Sequence, residues 1–199
     1  MRGVTVKEFF APPIDRREIL RYMGALTESP ELALKLDRSL EEALPLLRYS
    51  ICFKIFDVCS SDGVQDLTFT SVRSELLEKS LHGCTRALVF VATVGVGIDR
   101  LIAKYSAIEP SRALIMQAIG TERVEALCDE FCREAPGMLG LDPKGFRSRI
   151  SPGYGDLPLL LQRDIFAALG CPLKIGVSLR DSLIMSPSKS VSAIIGIRE

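Results

Sequence analysis

The chain has a single histidine, His82, and this limits the chemistry open to it. His82 stands beside Gly83 at the predicted end of a helix, where an imidazole serves terminal carbonyls more often than it moves protons. A histidine triad is therefore excluded, and no catalytic role is expected for His82. Neither sign of charge is in excess: 25 Lys and Arg balance 25 Asp and Glu. Without a basic surplus or patch, nucleic acid is not an expected partner. Long hydrophobic runs are also missing. The longest, residues 87–98, is too short and too interrupted by glycine to span a bilayer. The first ten residues carry charge and no apolar stretch of signal-peptide length, so the expectation is a cytoplasmic protein with no membrane partner. In that setting the six cysteines read as thiols rather than a disulfide framework. Cys128 and Cys132 share one helix face and have a spacing that suits a metal. The stronger reading is that they are small buried apolar residues. Position 135 is Ala135, so the Cys-x-x-x-Cys-x-x-Cys run of a radical enzyme is absent, and no metal site is expected.

What is present fits one domain over residues 1–199, since 47% hydrophobic and 25% charged residues are the proportions of an ordinary globular chain. Residues 1–48 read as a helical part. In it, a helix over residues 14–24 is capped by Asp15 and ended by Gly24, and a second runs over residues 28–47. Residues 49–199 read as sheet and helices. Strands are predicted at 49–58 and 67–70, joined through a turn at Gly63, with a helix following from residue 70 or 71 to 81. A strand over 86–93 then enters the turn Gly95-Val96-Gly97. The third glycine of a dinucleotide fingerprint would fall at Arg100, so this is read as a tight strand-to-helix turn that can also line a ligand cleft. A helix over 112–134 is expected to break near Gly120-Thr121. It carries Glu125 and Asp129 at the edge of its buried stripe, where either can face a cation. A helix over 157–169 and strands over 173–179 and 190–197 complete the chain. Strands mixed irregularly with helices predict an α+β fold with an antiparallel or mixed sheet.

The most informative stretch is Arg147-Ser148-Arg149-Ile150-Ser151-Pro152-Gly153-Tyr154-Gly155-Asp156. Alternation predicts a short strand with both arginines on one face. Pro152 removes a donor, while Gly153 and Gly155 open the backbone to close approach. An arginine beside such a bend can hold a small anion. A second motif follows, Met185-Ser186-Pro187-Ser188-Lys189-Ser190-Val191-Ser192. Together the two resemble the reactivation domain of cobalamin-dependent methionine synthase, whose patterns are Arg-Pro-Ala-Pro-Gly-Tyr and then Met-x-Pro-x-x-Ser-Val-Ser. The likeness runs over roughly residues 85–197.

That resemblance implies a C-shaped α+β unit with a central twisted antiparallel sheet, binding S-adenosylmethionine in a shallow groove. It implies that Arg149 holds the methionine end or the ribose. Ile150, Ser151, Pro152 and Gly153 offer backbone to the adenine, Tyr154 lies near the ligand, and Glu125 accepts from the ligand ammonium. The cobalamin is carried by a partner, a methionine synthase or other corrinoid methyltransferase, and a flavodoxin-type protein supplies the electron. The chain would then act in trans as a detached reactivation subunit. Two alternatives stand beside this: an adaptor that does not bind S-adenosylmethionine, and an independent small-molecule methyltransferase.

Overall fold

A computed structural model describes residues 3–198; Met1, Arg2 and Glu199, the ends of the expected single unit, lie outside the described residues. Its centre is a sheet of four antiparallel strands. β1 (Thr5–Phe9) pairs with β2 (Tyr49–Asp57), which pairs further with a strand over Arg86–Thr93, itself paired with a last strand over Ser190–Ile197. Successive side chains point to opposite faces of such a strand. Ile51, Phe53, Leu88, Phe90, Ala193 and Ile195 therefore enter one core, and Cys52, Ala87, Val89, Val91 and Ile194 enter another. Both faces are covered, so the strand over Arg86–Thr93 reads as an unbroken apolar run.

Different helices cover each face. On the first lie α1 (Arg16–Met23), α2 (Pro30–Ala43), a helix over Gly97–Ile108 and a long one over Pro110–Leu139. Between β2 and the strand over Arg86–Thr93 come the short strands β3 (Cys59–Ser61), β4 (Val64–Asp66) and β5 (Ser71–Arg73), which form a separate sheet, and then α3 (Glu75–Leu81). Continuing in order, the chain supplies β6 (the strand over Arg86–Thr93), α4 (Gly97–Ile108), α5 (Pro110–Leu139), α6 (Leu161–Leu169), α7 (Cys171–Ile175), β7 (Ser178–Leu179), β8 (Met185–Ser186) and β9 (Ser190–Ile197). The second face is covered by α3, α6 and α7, through Leu77, Leu81, Leu161, Ile165, Phe166 and Cys171. The α+β expectation holds, and every strand pair is antiparallel. Among the described residues no helix is long and apolar enough to cross a membrane.

Several local expectations are corrected. Residues 1–48 are not only helical, because β1 docks on the sheet edge and Phe9 meets Phe131 edge-on at 6.2 Å. α5 runs 30 residues without a break at Gly120. That glycine is there for close approach, since a Cβ on it would lie 2.8 Å from Lys189 Cγ and 3.0 Å from Ile98 Cγ1. Residues 67–70 turn rather than extend, with Thr68 at φ 72°, and α3 starts only after its N-cap Ser74. The first part of the strand expected over 173–179 is α7, which Pro172 initiates and Gly176, at φ 68°, ends, and only Ser178–Leu179 is strand. Asp15 and Gly24 cap α1 as expected: Asp15 accepts from Arg17 N and Glu18 N, and Gly24 adopts φ 71°.

Phe131 is fully buried and its ring lies 5.1 Å from Phe53 and 4.8 Å from Phe90, joining α5 to two strands. Phe131→Ala is expected to destabilise the fold by about 3–5 kcal/mol in urea unfolding.

Candidate functional site

The segment after α5 returns along the free edge of β9. Ile150 N donates to Ile194 O at 2.9 Å and Ile194 N to Ile150 O at 2.8 Å, while Arg147 N donates to Gly196 O at 2.9 Å. Only isolated bridges form, at Phe146 and Ile150, so the short strand expected over residues 146–154 is a loosely paired edge segment that ends in a bend. Its two arginines also part company. Arg147 Nη2 donates to His82 O at 3.3 Å, whereas Arg149 Nη2 donates to Glu125 Oε2 at 2.6 Å and to Asp129 Oδ1 at 3.0 Å. The paired-arginine reading is thus replaced by a single arginine held against α5.

Beyond Ile150 the chain bends. Gly153 at φ 95° and Gly155 at φ 55° take conformations a side chain would oppose, and Gly153 N donates to Leu157 O at 2.8 Å. Asp156 then fixes the bend to α3, accepting from Ser74 Oγ at 2.8 Å, Glu75 N at 2.6 Å and Leu76 N at 3.1 Å. Sequence reading missed this role, because the helix start it serves is distant along the chain. The second motif is held from the other side. Asp99, in the first turn of α4, accepts from Ser188 N at 2.7 Å and Ser188 Oγ at 2.6 Å. Ser190 Oγ donates to Pro187 O at 2.8 Å and lies 2.9 Å from Thr93 Oγ1.

Between these two segments lies a hollow of about 550 Å³. Arg149, Ile150, Ser151, Pro152 and Tyr154 line it from the bend, and Met185, Ser190, Val191 and Ser192 from the second motif. Glu125, Leu76 and Gln162 close the remaining wall. Of the predicted site residues only Gly153 is not part of the lining; it shapes the bend. A second hollow, about 530 Å³, opens between α1 and α5, and Arg149 and Glu125 line this one too. Their ion pair is a partition between the two spaces.

The Arg149 side chain is 25% exposed and that of Glu125 36%. Burial opposes the guanidinium charge, but the Glu125 hydrogen bond and the charges of Glu125 and Asp129 outweigh it and hold Arg149 above its ordinary range. Beneath the pair, burial pushes the Cys132 thiol up to about 11 and raises Cys128 as well, so both are protonated thiols at neutral pH. Among the described residues no group of three His, Cys, Asp or Glu is arranged to hold a metal ion. Gly95, Val96 and Gly97 line neither hollow, which corrects the cleft expectation for that turn. A Cβ on Gly97 would collide with the Leu46 carbonyl, so the glycine is required by packing.

No family model matches the chain, and no curated protein matches its sequence. Among solved structures, the crystal structure of the MetH reactivation domain bound to AdoHcy is similar with a TM-score of 0.73 at 15% identity, covering 98% of this chain and 78% of that one. The fold is that of the MetH reactivation domain. The likeness to the MetH domain extends over nearly the whole described chain, β1 and α1 included, and so reaches well before the region in which the two motifs lie.

Hydrogen bonds from Ser74 and from the Leu76 and Glu75 amides hold the Asp156 carboxyl below the usual range. A depressed carboxylate contributes stability that is present above its ordinary range and lost as pH falls through the depressed value. Asp156→Ala is therefore expected to lower the thermal unfolding midpoint at neutral pH, with the gap from wild type closing in strong acid; an equal gap at every pH would count against this role.

Proposed function

We propose that this chain binds S-adenosylmethionine in the hollow between the bend and the second motif. In this reading it presents the methyl group to a corrinoid carried by a separate methionine synthase or other corrinoid methyltransferase, as that partner's reactivation subunit. The observation that carries the proposal is the convergence of both motif segments on one hollow with Arg149 and Glu125 in its wall. At about 550 Å³ the space is of small-ligand size. The MetH domain that shares the fold holds AdoHcy, the product left when S-adenosylmethionine gives up its methyl group.

The charges in the wall suit an amino-acid end. Arg149 offers a planar fork for a carboxylate, and Glu125 can accept from an ammonium group. In the free protein the two neutralise each other. A zwitterionic ligand exchanges that internal pair for two external ones, so neither charge is left bare. Backbone at Ile150, Ser151 and Pro152 then lies alongside the adenine, with Tyr154, 70% exposed, at the mouth.

For the reaction, one electron from a flavodoxin-type donor reduces the partner's cob(II)alamin, and the sulfonium methyl group moves to cobalt while the broken bond's electron pair stays on sulfur. The residues of this chain do no proton transfer in that scheme; they bind and orient the donor. An independent methyltransferase would need a base near its acceptor, and Glu125, the one carboxylate among the described residues that line the hollow, is paired to Arg149. The adaptor reading draws support from that same internal pair, because ligand binding must break it.

Calorimetric titration separates these readings. Wild type is expected to bind S-adenosylmethionine, Arg149→Ala to lose about 1.5–3 kcal/mol of binding, and Arg149→Lys to recover only part of it. With S-adenosylmethionine and an electron donor, wild type is expected to restore methylcobalamin on an oxidised corrinoid methyltransferase. Wild type that gives no binding heat would leave the adaptor reading.

A further inference from the structure

Two residues that line the hollow each carry a buried polar atom with no partner. Gln162 Oε1 and Ser192 Oγ are closed off from solvent, make no hydrogen bond, and belong to residues only 5% and 2% exposed. Buried polar groups are almost always paired, so each exception calls for a reason. Packing supplies none. Gln162 sits in the first turn of α6 beside Leu161, Ile165 and Phe166, where an aliphatic side chain would cost nothing in hydrogen bonds. Ser192 occupies a strand position followed by Ala193 and Ile194, where alanine would serve as well. Both line the same hollow as Arg149.

We infer that Gln162 and Ser192 form a hydrogen-bonding subsite that selects an aminopurine base in the ligand. This rests on the reading that the hollow takes an S-adenosyl ligand. A glutamine amide sets an acceptor and a donor side by side in one plane, the complement of the exocyclic amino group and N7 along the Hoogsteen edge of adenine. A 6-oxopurine places two acceptors on that edge and can satisfy only half of the amide. The terminal torsion of glutamine is soft, so the amide turns toward the hollow at little cost. The Ser192 hydroxyl, which both donates and accepts, meets a further polar atom of the nucleoside. Arg149 grips the amino-acid end, and these two residues choose the base.

The test titrates S-adenosylhomocysteine and S-inosylhomocysteine into wild type, Gln162→Leu and Ser192→Ala, and records thermal unfolding of each free protein. Wild type is expected to favour the adenosyl ligand, and Gln162→Leu to weaken it about tenfold while leaving the inosyl ligand nearly unchanged. Because an unpaired buried atom is removed, each variant is expected to unfold about 2–4 °C higher than wild type without ligand. Opposite signs for binding and stability are what a purely structural role does not produce. Ser192→Ala carries the test if Gln162→Leu fails to fold. Equal binding of the two ligands by wild type, or a preference that survives both substitutions, overturns the subsite alone; wild type that binds neither ligand overturns the proposed function and the subsite with it.

Discussion

Ile150 and Ile194 exchange both of their backbone hydrogen bonds, and the candidate site follows from that one contact. It fixes the register of an otherwise irregular segment against the edge of β9. With Ile150 packed into the core beneath α6, alternation turns Arg149 to the opposite side, where α5 offers Glu125 and Asp129. The same register carries the chain into the Ser151-Pro152 bend opposite Ser190 and Ser192, so two segments far apart in sequence become the walls of one hollow.

The energetics of this place turn on a partly buried ion pair, Arg149 with Glu125. Removing either partner of a partly buried ion pair leaves a charge uncompensated, which costs more than the pair itself contributes. A ligand with one acid and one ammonium group avoids that penalty by replacing both partners together. The unpaired atoms of Gln162 and Ser192 tell a similar story in neutral form. Stability is given up locally, at positions where an apolar residue would fit, while the surrounding frame is tied firmly. Asp156 fastens the bend to α3, and Asp99 fastens Ser188 to α4. Loose polarity within a rigid frame is the arrangement expected of a binding site.

Much of the frame was legible in the sequence because its signals are local. The apolar run of β6, the mixed aromatic and β-branched text of β2, the last strand β9 and the Asp15 and Gly24 caps each depend on neighbours a few residues away. Errors arose where a distant partner decides. Gly120 looked like a helix break but makes room for Lys189 and Ile98. The short text of β1 gained its conformation from a sheet edge formed by β2. Arg147 and Arg149 looked equivalent until α3 and α5 claimed one each. Within the site, Arg149 and the bend were visible in the motif, and Glu125 was marked by its place at the edge of the helix stripe and by the motif resemblance. Asp156 and Ser192 lay within the two motif stretches without a role of their own, and Gln162 had no local mark, since the meaning of all three lies in contacts made, or left unmade, across the fold.

Two segments form the walls of a single hollow, the proposed ligand site. Hydrogen–deuterium exchange with and without S-adenosylmethionine measures this directly. Saturating ligand is expected to slow amide exchange in residues 149–157 and 185–192 together, over one shared concentration range. Protection confined to one segment, or appearing instead at the Gly95-Val96-Gly97 turn, would contradict it.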